Sequence, residues 1–263
     1  MPGLKSFAAL TAVLAMALAG CGDSNSDGGG SGGSGSALKV GTEGTYAPFT
    51  YHDPKSNQLT GYDVEVTNAV AKKLGKKPQY SETTFDAIFA GLEAKRYDVV
   101  ANQISVNPER EAKYAFSTPY TASTGVVVTR ADDDSVSSLS DIKGKKSAQS
   151  TTSNWAQTAK DAGANVEAVE GLTQAIALLK QGRVDVTVND NLAILDYLKS
   201  SGDKDVKIAA EVGDKTEQAF AFRKGSPLAA DFDKALKELA ADGTLKKISE
   251  KWFGEDVTGV GGQ

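Results

Sequence analysis

From Leu38 onward, short apolar runs alternate with amphipathic stretches, and the alternation runs twice. Such a rhythm confines the chain to α/β folds, in which helices cover both faces of a mostly parallel sheet. Leu38 to Thr42 predicts a strand. Asp63 is positioned to cap a helix reaching Leu74, with Val66, Val70 and Leu74 on one face and Gly75 as its stop. Pro78 to Glu82 predicts a second strand. Residues 85–95 predict a helix whose stripe is Phe85, Ile88, Phe89 and Leu92. Tyr97 to Ala101 predicts a buried strand, and Asn107-Pro108 opens another helix. The series then restarts: strand at 145–149, helix at 154–162, strand at 166–169, a helix on Leu172, Ile176 and Leu179, strand at 184–188, and a helix on Leu192, Leu195 and Leu198. A strand at 219–222 is expected to cross back, followed by a helix from Ser226-Pro227 to Ala241 and a last one ending at Trp252-Phe253.

The expected architecture is two α/β lobes, 38–122 plus 219–258 and 123–218, with 259–263 as a disordered tail. Open α/β sheets bind ligands beyond the carboxyl ends of their strands, so two facing lobes place two half-sites across one cleft. A chain crossing twice between them makes a hinge.

Composition narrows the chemistry. The 263 residues carry 29 Lys and Arg against 34 Asp and Glu, a net charge of −5, with no basic cluster. That excludes nucleic acid as the main partner. A single His (His52, expected in a solvated loop) and a single Cys (Cys21) exclude Ser-His-Asp and Cys-His catalysis, thiolate zinc sites and any intrachain disulfide. No metal or cofactor is expected.

The N-terminus has its own pattern. Lys5 precedes an apolar stretch from Phe7 to Ala19, about 13 residues, which suits a signal-peptide h-region and is too short to span a bilayer. Residues 1–20 are therefore expected to be a leader, and Leu18-Ala19-Gly20-Cys21 matches a bacterial lipobox, whose Cys is lipidated. Residues 21–36 are expected to form the lipidated Cys and a disordered Gly/Ser tether spanning roughly 20 Å.

Residues after the predicted strands form a chemically coherent set. Glu43 and Tyr46 follow the first strand, Asn102, Gln103, Ser105 and Arg110 the third, Ser150 to Ser153 the next lobe's first strand, and Asn189 and Asp190 its last. The hydroxyl-rich turn at Thr151-Thr152 stands before a helix and favours an anion. The fork of Arg110 matches a carboxylate, and the isolated acid Asp190 favours an ammonium. Tyr46 and Phe85 supply flat walls. Together they describe a site for a free amino acid. Each also has a plain structural reading: Arg110 in an ion pair with Glu109 or Glu111, Asp190 as a helix cap, the Ser/Thr run as turn chemistry, Tyr46 and Phe85 in the core. Trp155 and Trp252 read as packing.

At these positions the sequence resembles the bacterial extracellular solute-binding proteins of family 3, the polar amino-acid receptors of ABC importers. The likeness runs from about Leu38 to Thr258 through Gly41-Thr42-Glu43-Gly44-Thr45-Tyr46-Ala47-Pro48-Phe49, Gly61-Tyr62-Asp63-Val64-Glu65-Val66, Pro108-Glu109-Arg110, Phe116-Ser117-Thr118-Pro119-Tyr120 and Ser249-Glu250-Lys251-Trp252-Phe253-Gly254. The resemblance implies a type II periplasmic-binding-protein fold (a Venus flytrap), two α/β lobes joined by two crossing strands. It implies that Arg110 holds the ligand carboxylate with Ser105, Thr151 and Thr152, that Asp190 holds the ammonium, that Tyr46 and Phe85 flank the side chain, and that Glu43, Asn102 and Gln103 line its pocket. The turn reads Ser150-Thr151-Thr152 where many members carry a glycine. Val99 to Ile104 and Glu43 to Tyr46 look most like cystine-binding members, in which Glu43 would meet the distal ammonium.

The expectation is a non-enzymatic, monomeric receptor, lipid-anchored to the outer face of the bacterial cell membrane. It would deliver an amino acid, L-cystine first, to a permease driven by a separate ATPase, since the chain has no P-loop. Glutamine, glutamate or a basic amino acid are the alternative ligands. A dehydratase on the same fold is the alternative class.

Overall fold

A computed structural model describes residues 36–259. The expected leader, the lipidated Cys21 and all of the tether but Ser36 lie outside the described residues, as does the tail beyond Gly259. No described helix is long and apolar enough to cross a membrane.

The chain begins with β1 (Ala37–Thr42), three short strands β2 (Thr45–Tyr46), β3 (Thr50–His52) and β4 (Leu59–Thr60), then α1 (Tyr62–Lys73), β5 (Lys77–Glu82), α2 (Phe85–Glu93) and β6 (Val99–Ser105). It continues through α3 (Pro108–Lys113), β7 (Tyr114–Phe116) and β8 (Thr121–Arg130). After a 3₁₀ turn at Leu139–Ile142 come β9 (Lys146–Gln149), α4 (Asn154–Asp161), β10 (Asn165–Ala168), α5 (Gly171–Lys180), β11 (Thr187–Asp190) and α6 (Asn191–Ser201). The last elements are β12 (Val206–Arg223), α7 (Leu228–Ala241) and α8 (Thr244–Phe253).

One sheet runs in the order β11-β8-β12-β6-β1-β5, with β7 also on β12. β1 pairs parallel to β5 and β6, as the alternation predicts. The strands that link the lobes, β8 and β12, run antiparallel to their neighbours. β12 is 18 residues long, where the sequence suggested a short strand at 219–222: its 206–218 half pairs with β8 and its 218–223 half with β6 and β7.

Strand alternation sorts the cores. Val99 and Ala101 of β6 face a core with Val66 and Val70 of α1 and Phe232 and Leu236 of α7, while Val100 and Ile104 face Ile88 and Leu92 of α2. The first of these cores is aromatic, with Tyr120 stacked on Phe220 at 4.4 Å between centroids and Phe232 edge-on to Phe220 at 5.0 Å. In the second lobe Val126 and Val128 of β8 face α5 through Ile176 and Leu179, and Val127 faces α4 through Trp155 and Ala159. Helices thus cover both faces of each lobe.

Several local expectations change. Asp63 does not cap α1: the cap position is Gly61, at φ 131°, and a Cβ there would stand 2.1 Å from the Phe49 carbonyl oxygen. Asp63 is the second residue of the helix and fully buried. Asn102, Gln103 and Ser105 do not follow a strand but belong to one, since β6 runs on to Ser105 with every residue buried. His52 sits in β3 rather than a loop, its ring exposed and 3.0 Å from the Glu82 carboxylate.

Candidate ligand-binding site

The first lobe builds its share from the end of β1 and the middle of β6. The Glu43 amide donates to Asn102 Oδ1 at 2.8 Å, and Asn102 Nδ2 donates back to Glu43 Oε2 at 2.6 Å, so strand neighbours fix the Glu43 carboxylate. Burial pushes that carboxyl up to about 7, against the hydrogen bond from Asn102. Gln103 takes a left-handed conformation, φ 49°, and its amide donates to Asp63 Oδ2 at 2.5 Å. Neither polar atom of its buried side chain has a hydrogen-bond partner. A non-glycine residue in this region stores strain that the surroundings must hold.

Arg110 is placed by its helix. Asn107 caps α3 by accepting from the Arg110 amide at 2.9 Å, and Pro108 supplies the first helical φ. The guanidinium does not form the surface ion pair that its neighbours offered, since Glu109 pairs with Lys113 at 3.2 Å. Instead it lies buried against Phe85 and Phe89, 5.7 and 5.4 Å from their ring centres. Nη1 donates to the Ser105 carbonyl at 2.9 Å, and Nη2 has no partner among the described residues. Burial holds its pKa down at about 10.

From the second lobe comes Asp190, only 2% exposed. It does cap α6, accepting from the Leu192 amide at 2.9 Å, and it also accepts from Ser123 on β8. Gln218 on β12 donates to Ser123 Oγ at 2.9 Å, tying this acid to both crossing strands. Burial pushes Asp190 up to about 6 and Asp63 up to about 7. No cation among the described residues pairs with either.

Between the lobes lies a cavity of about 50 Å³. Five of the candidate residues, Glu43, Tyr46, Phe85, Asn102 and Gln103, line it. The opposing wall is Gln149, Ser150, Ser153, Asn154, Trp155, Gly171, Leu172 and Asn189. The Tyr46 hydroxyl donates across it to Asn189 Oδ1 at 2.7 Å. Trp155, read as packing, is both core and cavity wall. It sits where it does because β8 has no side chain at Gly125: a Cβ there would stand 2.5 Å from the indole ring. Ser105, Arg110, Thr151, Thr152 and Asp190 do not line this cavity. A larger open depression, about 850 Å³, is lined by Thr124, Lys215, Glu217 and Asp256 among others and includes no predicted site residue.

Thr151 and Thr152 have another partner. Asp86, the second residue of α2, accepts from the Thr151 amide and hydroxyl at 3.2 and 2.8 Å and from the Thr152 amide and hydroxyl at 2.9 and 2.8 Å. These bonds hold its carboxyl below the ordinary range against partial burial. Sequence reasoning passed over Asp86 because an acid in a helix's first turn already has a local reason to be there. Among the described residues no group of three or more His, Cys, Asp or Glu side chains could hold a metal ion.

Known proteins match this architecture. L-cystine-binding protein TcyA of Bacillus subtilis is 58% identical over 84% of this chain and 82% of its own. L-cystine-binding protein TcyJ of Escherichia coli is 37% identical over 84% of each chain. Both are binding proteins rather than enzymes. Among solved structures, the L-cystine solute receptor of Neisseria gonorrhoeae in its unliganded open conformation is 50% identical, over 86% of this chain and 95% of its own, with a TM-score of 0.57. An ancestral arginine-binding protein bound to arginine is 38% identical, over 84% and 100%, with a TM-score of 0.79. The less similar sequence of the two has the higher TM-score. The family model for bacterial extracellular solute-binding proteins, family 3, matches residues 38–255. Fold, cleft and sequence agree, and the chain belongs to that family.

Proposed function

We propose that this protein is the extracytoplasmic receptor of an amino-acid ABC importer and that it captures L-cystine between lobes 38–122 plus 219–258 and 123–218. The observation that carries the reading is the pair of buried, opposite and incompletely satisfied charges. Asp190 has no cation beside it among the described residues, and Arg110 keeps one guanidinium nitrogen without a partner. Burying a charge costs several kcal/mol unless a partner arrives, so the fold leaves places for an ammonium and a carboxylate. Asp190 takes the ligand ammonium and Arg110 its carboxylate. Tyr46, Phe85 and Trp155 enclose the side chain beside Asn102 and Gln103. Glu43 takes the second ammonium, which L-cystine has and glutamine and glutamate lack. Similarity to the two L-cystine-binding proteins supports that choice. Ser105 contributes through its carbonyl, which orients Arg110. A share for Thr151 and Thr152 in holding the ligand carboxylate requires Asp86 to give way.

The Tyr46–Asn189 bond bridges the two walls of the cavity, so the lobes separate to admit a ligand. In this reading Cys21 carries the lipid anchor, the receptor is a monomer on the outer membrane face, and a permease with its ATPase is the partner.

Isothermal titration of the purified protein, unfolded and refolded to strip bound amino acid, tests the reading. Tight one-to-one binding of L-cystine with weak binding of glutamine, glutamate and arginine is expected. Preference for arginine would keep the receptor and reassign Glu43 to a guanidinium. No binding of any amino acid overturns the reading.

A further inference from the structure

Four donors converge on the Asp86 carboxylate from a turn 65 residues further along the chain and in the other lobe. The position of these groups is informative. Phe85, next to Asp86, lines the cavity, as do Ser150 and Ser153 on either side of Thr151-Thr152. Asp86, Thr151 and Thr152 do not. The bonds therefore close the rim of the cavity from outside it. The Tyr46–Asn189 bond differs: it crosses the cavity itself, so a bound side chain must disturb it.

We propose that Asp86 is an interlobe clasp, a positioning residue that holds the rim of the closed cleft by seating its carboxylate on the hydroxyls and amides of Thr151 and Thr152, and that it governs how long the ligand stays bound. The proposal rests on the receptor reading for its ligand, and its three residues lie outside the cavity lining. All three residues are exposed at the surface, so the clasp opens and recloses against only the partial burial of Asp86. It acts after capture and leaves encounter alone. Asp suits the role because both of its oxygens accept: a neutral amide would set its own NH₂ against backbone N–H donors. Under this assignment the hydroxyl-rich turn recognises a carboxylate of the protein.

Stopped-flow binding of L-cystine and small-angle scattering of the ligand-free protein test the clasp together. Asp86→Ala is expected to raise the dissociation rate about tenfold, to leave association within about twofold, and to increase the ligand-free radius of gyration. Thr151→Val with Thr152→Val is expected to act in the same direction but less, since both backbone donors remain. In the Asp86→Ala background the same pair is expected to change nothing further. Asp86→Asn, which keeps the shape, controls for any folding defect by thermal unfolding and is expected to release ligand faster than the parent protein. Unchanged dissociation and unchanged scattering in Asp86→Ala would falsify the clasp. Further weakening by the threonine changes in the Asp86→Ala background would also overturn it, because the turn would then be holding the ligand itself. If the parent protein binds no L-cystine, the receptor reading fails instead, and the ligand-free scattering of Asp86→Ala still decides the clasp.

Discussion

At the rim of the cleft Asp86 accepts four hydrogen bonds with water beside it, while in the interior Asp190 accepts bonds from Ser123 and the Leu192 amide with almost no exposure. The rim carboxyl is held below its ordinary range and the interior one is raised to about 6. Donor supply and burial account for the difference. The rim acid is satisfied by the protein and joins two parts of it. The interior acid is under-supplied, and that deficit is what a ligand cation can relieve.

The largest test of this contrast removes the interior charge alone. Asp190→Asn keeps the shape of the cap and is expected to weaken L-cystine binding at least about 100-fold with little change in melting temperature. Titration calorimetry beside thermal unfolding reads both, and an affinity within about threefold of the parent removes Asp190 from the site. Arg110→Met is next. It deletes the opposite charge and fills the slot between Phe85 and Phe89 with a flexible apolar chain. Binding is expected to fall about 30-fold while the ligand-free protein becomes no less stable, since a buried cation with an unpartnered nitrogen has been removed. A large drop in melting temperature would mean that Arg110 is structural.

Acidity separates the two regions by sign. Asp190 and Asp63 have raised values, about 6 and about 7, so the folded protein holds more protons than the unfolded chain between about pH 4 and 7. Their contribution to ligand-free stability is fully present below about pH 4. It is lost as pH rises through 6 to 7. Asp86 acts oppositely, because its lowered value gives stability that is present above the ordinary aspartate range and lost as pH falls below it. Ligand affinity is expected to climb about tenfold between pH 5 and 7 as Asp190 ionises. Denaturant unfolding and calorimetry across that range check both slopes, and an affinity that falls with pH there reverses the assignment of Asp190. The smallest change is Tyr46→Phe, which removes the bond to Asn189 and keeps the ring: about a threefold change in affinity is expected, against a much larger one for Tyr46→Ala.

Most of the fold was legible because periodicity carries it. The helices on Val66 and Val70, on Ile88 and Leu92, and on Ile176 and Leu179 lie within a few residues of their expected places. What escaped was long-range. The half of β12 from Val206 to Gln218 carries Glu211, Asp214, Lys215 and Glu217 on an exposed edge, and its pairing with β8 cannot be seen locally. Asn102, Gln103 and Ser105 looked like the end of a strand because they are polar. They are buried within β6, where polarity alone gives no sign of a strand interior. Asp63 reads as a helix cap until its partner, the Gln103 amide, is known. Glu43 and Tyr46 were singled out by their place after β1 and Asn102 and Gln103 by their polarity, whereas Trp155 and Leu172 looked like ordinary core.

Trp155 has a practical consequence. The chain has only two tryptophans, and they stand in different settings. Trp155 is wedged between the cavity and the glycine of β8, whereas Trp252 belongs to α8 and lies near Tyr51, at 6.2 Å between ring centres. Any movement that opens or fills the cleft changes the surroundings of one indole and spares the other. The molecule therefore carries its own optical gauge, with a reporter at the mouth of the trap and a reference lamp in the frame. Replacing Trp252 with Phe leaves a single emitter whose colour follows the closing of the lobes.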